Sequence, residues 1–132
     1  MLRIICSIAL IAHGIGHIIG VSAAWTPVKM GFSGHPWIFS SGVNISSGIG
    51  RIFGIVWLVA MIVSIASGVG LLLRFDWWVT MAIVGALIST GVLIIWFRAF
   101  PSGSDVSALA FDFLILAALL GPWSNKILEF LL

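Results

Sequence analysis

Four long runs of apolar residues, separated by short polar breaks, are what most constrain the fold of this chain. They cover about residues 3–25, 49–73, 77–97 and 106–121 of the 132-residue sequence. Crossing a bilayer takes about 20 helical residues, and lipid admits only helices or closed barrels. Because the runs are continuous rather than alternating, we predict an all-α fold. We expect residues 1–132 to form a single integral membrane domain, folded as a four-helix transmembrane bundle.

The composition excludes several other classes of protein. Only 8% of the residues are charged, whereas a soluble domain has about a quarter, so the chain cannot be a soluble monomer. A scattered net charge of +2 lacks the clustered basic face that nucleic-acid binding needs. The single cysteine, Cys6, excludes a disulfide scaffold and a thiolate zinc cage. We therefore expect the lipid bilayer as partner, with further copies of the chain or the subunits of a membrane complex.

The breaks between the runs predict how the helices are connected. Residues 74–76 allow only a very short turn, so the second and third helices must be antiparallel neighbours. Asp105 is a candidate N-cap for the fourth helix, and Gly121-Pro122 predicts a stop or a kink. The apolar residues around Lys126 and Glu129 predict a short interfacial helix at the C-terminus.

The basic residues are distributed almost equally between the two sides of the membrane. Four spans place both termini on one side of a cell membrane, and three basic side chains then lie near each surface. Arg3, Arg74 and Lys126 share the side of the termini, opposite Lys29, Arg51 and Arg98. The free amino terminus adds one positive charge to the side of the termini. We therefore predict a multi-pass protein with cytoplasmic termini.

Ionisable residues inside the apolar runs point to one half of the bundle. At about 1.5 Å of rise per residue, His17 lies roughly 12 Å and Asp112 roughly 9 Å below the same surface. Thr90 is at a similar depth, and His13 is one turn deeper on the same face as His17. An ionisable group at such depth is expensive and suggests function, so we predict that His17 and Asp112 face one cavity, with the first and last helices brought together.

The first loop is long for so small a protein and unusually aromatic. About 23 residues separate Trp25 from Gly48, and they include His35, Trp37 and the aromatic ends of the segment Phe32–Phe39. Long structured loops often carry function. We expect this segment to anchor on the membrane surface or to cover the cavity as a lid.

These observations define the candidate ligand-binding residues. They are His13, His17, Asp112, Arg51, Arg98, Thr90, His35 and Trp37. Asp112 is either a neutral carboxyl that donates a hydrogen bond or a carboxylate paired with Arg51, Arg98 or a protonated histidine, and we favour pairing. No catalytic residue is assigned.

Several chemical interpretations of the histidines remain open from the sequence. Both imidazoles can be neutral and hydrogen-bonded across the bundle. A divalent metal ion with His13, His17 and Asp112 as ligands is an alternative, as is a proton or substrate relay through His17, Asp112 and Arg51. A haem is a further alternative, but two histidines on one helical face cannot be its two axial ligands, so a second chain would have to supply one.

Three classes of function follow from these interpretations. The first is a membrane protein that binds a small ligand or ion in a His/Asp pocket, with small transporters in this class. The second is a metal- or haem-dependent redox membrane protein. The third is a non-catalytic subunit of a larger membrane complex.

A short motif in the first helix resembles a known group of proteins. His13-Gly14-Ile15-Gly16-His17-Ile18-Ile19-Gly20 is similar to the first helix of small prokaryotic four-span proteins grouped as DoxX-like. In these proteins the chain opens with a histidine-glycine pair, followed by two residues, a histidine, two apolar residues and a glycine. The resemblance implies a four-helix bundle and says little about chemistry, because the group is functionally diverse.

Overall fold

The computed structural model describes residues 1–28, 34–38, 42–97, 99 and 103–131. Within these ranges the regular secondary structure is entirely helical, as the sequence predicts. The helices are α1 (Leu2–Gly16), α2 (Ile18–Trp25), α3 (Gly48–Leu73), α4 (Trp78–Ile95), α5 (Ser104–Leu120) and α6 (Ser124–Leu131).

The first apolar run forms two helices that are interrupted at His17. The N–H of His17 bonds to the carbonyl of Gly14, three residues back, at 3.1 Å. An α-helix would use the carbonyl four residues back, so the chain is locally tightened here. The apolar stretch nevertheless continues from Leu2 to Trp25 and is long enough to cross a membrane as one unit.

Three helical stretches in the described part of the chain are long and apolar enough to cross a membrane. They are Leu2–Trp25, Gly48–Leu73 and Trp78–Ile95. Helix α5 has only 17 residues and is followed by α6 at a bend of 97°. The bend falls at Gly121-Pro122, where the fixed φ and missing N–H of proline stop a helix. If α5 and α6 count as one bent span, the total is four.

Helix α3 organises the packing of the bundle. It contacts α1 and α2 on one side and α4 on the other, and α5 packs against α4. One buried cluster, around Trp57 and Trp96, lies at the end of the bundle that carries α2. A second, around Leu71 and Trp78, lies at the opposite end and includes Leu131 of α6. The bend after α5 thus folds the C-terminus back under the bundle.

The first and last long helices approach each other through side chains only. Helices α1 and α5, both fully described, do not pack closely along their backbones. His13 nevertheless touches Phe111 and Asp112 of α5. The bundle is therefore not closed by helix packing as the sequence suggested, and a groove runs between α1 and α5.

Two glycines near the helix break offer a matched test of the packing. A Cβ at Gly20 would overlap the Trp57 indole, whereas a Cβ at Gly16 meets no atom within 4 Å. We expect G20A to lower the free energy of unfolding by about 1–3 kcal/mol through overpacking. G16A should leave it unchanged or raise it by up to about 1 kcal/mol, because alanine favours the helix. Unfolding in mixed micelles, followed by tryptophan fluorescence, measures both. Equal losses in the two variants would contradict this packing.

Candidate functional site

The carboxyl group of Asp112 is fully buried and is held from two other helices. The hydroxyl of Ser89, on α4, donates to Oδ2 at 2.5 Å. Nε2 of His13, on α1, lies 2.8 Å from Oδ1. That distance is typical of an ion pair, but the angle is not that of a hydrogen bond. Three helices therefore meet at one acidic side chain, whose partners among the described residues are a serine and a histidine.

His17 extends this polar cluster from His13 towards the α2 end of the bundle. The two imidazole rings are edge to face, with centroids 5.0 Å apart. His17 is only 5% exposed, and its Nε2 atom has no hydrogen-bond partner among the described residues. A buried polar atom without a partner costs free energy. Nε2 of His17 is therefore available to form a hydrogen bond with a ligand.

A cavity of about 300 Å³ lies beside the two histidines. Its described lining comes from both sides of the groove and from the bundle interior. The lining residues are His13, Gly16, His17, Ile19, Gly20, Trp57, Leu93, Ser104, Asp105, Ser107, Ala108 and Phe111. Asp112 is not among them, because it lies behind His13. The cavity thus presents imidazoles, with the carboxyl group of Asp112 supporting one of them from the interior.

Three lining residues near the start of α5 were missed as site residues. Ser104, Asp105 and Ser107 border the cavity, whereas the sequence suggested only a capping role for Asp105. The N-cap is Gly103, and Asp105 lies in the first turn, buried, where its Oδ1 accepts from the N–H of Val106 at 2.8 Å. Asp105 and Asp112 are seven residues apart and so share one helical face. This spacing could have identified Asp105 as a site residue from the sequence.

Arg51 and Thr90 lie away from the described lining of the cavity. Arg51 is exposed and lies over the Trp25 ring, 5.9 Å from its centroid, a cation–π contact. Thr90 is half-buried, and its Oγ1 is buried without a partner in the described part of the chain. In the part of the chain that the structure describes, neither residue forms a hydrogen bond or an ion pair with Asp112, so the geometry does not support the relay through Arg51.

The described part of the first loop folds onto the end of α4 rather than over the cavity. Nε1 of Trp37 donates to the carbonyl of Ile94, and Nδ1 of His35 is 3.2 Å from the carbonyl oxygen of Val43. Neither His35 nor Trp37 belongs to the described cavity lining. Lys29, Phe32, Phe39 and Arg98 lie outside the described residues.

The proposed metal ligands do not converge as a coordination shell. Within the described ranges, no group of three or more His, Cys, Asp or Glu side chains is arranged to hold a metal ion. His13 is in direct contact with Asp112 instead, and His17 adjoins it ring to ring. The metal set of His13, His17 and Asp112 is therefore not supported by the geometry. A haem shared with a second chain stays a prediction.

Comparison with known proteins does not assign the chain to a family. No family model, no curated protein and no solved structure matches it. The resemblance of residues 13–20 to small four-span proteins stays a prediction.

Two adjacent hydroxyls on α4 provide a test of the Asp112 site. S89A removes the donor to a buried carboxyl oxygen, which we expect to cost about 1–3 kcal/mol of unfolding free energy. T90V replaces a buried hydroxyl that has no described partner by a methyl group, so it should leave the free energy of unfolding unchanged or raise it. Both are measured by unfolding in mixed micelles. A T90V loss as large as that of S89A would show that Ser89 has no special role.

Proposed function

We propose that this chain is a multi-pass membrane protein that binds a small ligand in the cavity beside His13 and His17. The partnerless Nε2 of the buried His17 supports this proposal most directly, because a bound ligand would satisfy it. A volume of about 300 Å³ is at the lower end of the range for small-molecule sites.

The helix break at His17 also favours a binding site. Irregular backbone at membrane depth is tolerated where it is buried in protein or lines a cavity, and short tightened turns within helices often mark functional positions. The break in the first span falls at a residue that lines the cavity. The irregular backbone thus lies in the wall of the cavity, as expected for a binding site.

In this proposal Asp112 has a positioning role. It is fully buried and its two oxygens face Ser89 and His13, so it is not itself presented to a ligand. By holding His13 from behind, it fixes the ring that forms one wall of the cavity. Such support from buried groups gives a binding site a defined geometry.

The membrane topology that accompanies this proposal has four spans. Helix α5, at about 1.5 Å per residue, is roughly 25 Å long, and we propose that it crosses most of the bilayer while α6 lies along the surface. Both termini then lie on the same side of the membrane, which we propose is the cytoplasmic side. The cavity, bordered by Ser104 at the start of α5, opens near the opposite surface.

Water access to the cavity tests the proposal with two alanines of one helix. In a protein with Cys6 replaced by alanine, A108C introduces a thiol into the cavity wall, whereas A110C places one on the exposed face. Thiols react as thiolates, which need water. We expect a membrane-impermeant cationic methanethiosulfonate to modify A108C about tenfold faster or more in reconstituted vesicles. Equal, slow modification of both would contradict a water-accessible cavity.

Retention of a ligand is a second, independent test. Small molecules released on denaturing the purified full-length protein are compared by mass spectrometry for the wild type, A108W and A110W. The indole in A108W fills the cavity, while the one in A110W points outward. We expect a compound that is present in the wild type and A110W but missing from A108W. An identical profile for the three proteins would weigh against a ligand site.

A further inference from the structure

A second pocket lies at the end of the bundle opposite the cavity beside His17. Its volume is about 190 Å³. The described lining consists of residues 1–4 at the start of α1, Arg74 directly after α3, and Phe130 and Leu131 of α6. The pocket and the cavity share no described lining residue. This pocket is therefore a separate candidate site, and its two arginines, Arg3 and Arg74, give it a different chemistry.

The two arginines border the pocket without a carboxylate between them. In the part of the chain that the structure describes, neither guanidinium group forms an ion pair. Asp76 and Glu129, which are close to the pocket in sequence, do not belong to its described lining. Two like charges beside one pocket repel each other, and a bound anion would offset this repulsion. The lining therefore favours a negatively charged ligand.

The backbone conformation of Arg74 supports a role for its side chain. Arg74 ends α3 in the left-handed region, with φ 63° and ψ 36°, and no other described residue except glycine has a positive φ. Glycine is the common residue at this position after a helix, because a Cβ makes the left-handed conformation costly. The arginine thus costs backbone stability that glycine would keep, while it brings a guanidinium group to the pocket.

The surroundings of the pocket favour a lipid as the source of the anion. Arg3 lies at the start of the apolar stretch Leu2–Trp25, and Arg74 directly follows the stretch Gly48–Leu73. Basic side chains at the ends of such stretches extend to the level of the lipid headgroups. Large apolar side chains next to the pocket are exposed, namely Leu2, Ile4, Leu72, Leu73 and Phe130. A charged pocket beside an apolar surface matches a charged head with acyl chains.

We propose that this pocket binds the phosphate group of an anionic phospholipid. The guanidinium groups of Arg3 and Arg74 donate hydrogen bonds to the phosphate oxygens, a pairing for which the planar fork of arginine is suited. The acyl chains lie along the exposed apolar side chains of α1 and α3. This site is independent of the cavity beside His17 and goes beyond the proposed function.

The same lining distinguishes an anionic from a zwitterionic phospholipid. Phosphatidylcholine carries a cation on its head, and the described lining contains no acidic side chain that could pair with it. That cation would instead lie near two guanidinium groups of the same sign. In phosphatidylglycerol the phosphate carries the only charge of the head. We therefore expect the pocket to prefer phosphatidylglycerol.

Native mass spectrometry of the purified full-length protein in detergent micelles tests this proposal. Dioleoylphosphatidylglycerol and dioleoylphosphatidylcholine are titrated separately, and the apparent Kd of the first bound lipid is measured for each. Single lipids in micelles avoid the potential of a charged bilayer surface, which attracts any basic segment. We expect phosphatidylglycerol to bind about tenfold more tightly. Equal affinities for the two lipids would overturn the proposal.

Three variants, each with one positive charge fewer, show whether the arginines hold the phosphate. R3Q and R74G each remove a guanidinium group from the pocket, whereas K126Q removes a charge of α6 outside the described lining. We expect R3Q and R74G to weaken phosphatidylglycerol binding by about threefold to tenfold, and K126Q to leave it unchanged. Equal weakening in all three would show an unspecific effect of charge and would contradict a site at the arginines.

R74G also separates binding from folding. Glycine adopts the left-handed conformation without strain, so the unfolding temperature of R74G in micelles without added lipid should be unchanged or higher. Weaker lipid binding in this variant then reports the lost guanidinium group and not a lost fold. Unchanged phosphatidylglycerol binding by R74G would show that Arg74 does not hold the phosphate, and the proposal would be wrong.

Competition by inorganic phosphate separates two sources of the same chemistry. Calorimetric titrations of phosphatidylglycerol are compared with and without millimolar phosphate at constant ionic strength. We expect no displacement, because acyl chains add apolar contacts that free phosphate lacks. Displacement would assign the pocket to a free phosphate ion and overturn the lipid. None of these outcomes depends on the cavity beside His17, which the thiol reagent tests separately.

Discussion

The buried carboxyl group of Asp112 is the constraint on which the rest of the structure depends. A polar group at membrane depth is costly unless it is paired, and Asp112 is fully buried. Its partners come from two other helices, Ser89 on α4 and His13 on α1. Since α1 and α5 do not otherwise pack closely, this contact and the neighbouring Phe111 ring connect the two sides of the groove.

The backbone of the first span is irregular one turn beyond this contact. His13 is turned towards Asp112, and one turn later the helix is interrupted at His17. Small residues around the break make room, because Gly20 lets the Trp57 indole lie directly against α2. The cavity lies beside this break, with Gly16, Gly20 and Trp57 in its lining.

The groove between α1 and α5 separates polar from apolar side chains along the axis of these helices. Its polar residues lie beside α2 and the start of α5, and its apolar lining continues to α6. The bend at Gly121-Pro122 is essential to this division, because it turns α6 across the end of the bundle and places Leu131 in the lower core. A straight continuation of α5 would remove Leu131 from this cluster.

The sequence by itself determined the helical class and the approximate bounds of the long apolar helices, because these depend on hydropathy. The depth of the polar residues, which follows from the fixed rise of a helix, stays a prediction. The sequence also predicted the stop at Gly121-Pro122, which is local backbone chemistry. Only the tertiary structure decided that Asp112 lies behind His13 and that Asp105 borders the cavity. It likewise decided that Arg51 lies over Trp25 instead of joining the site. Those outcomes depend on the rotation of each helix about its own axis, which is set by side chains of neighbouring helices and leaves no mark in one apolar run.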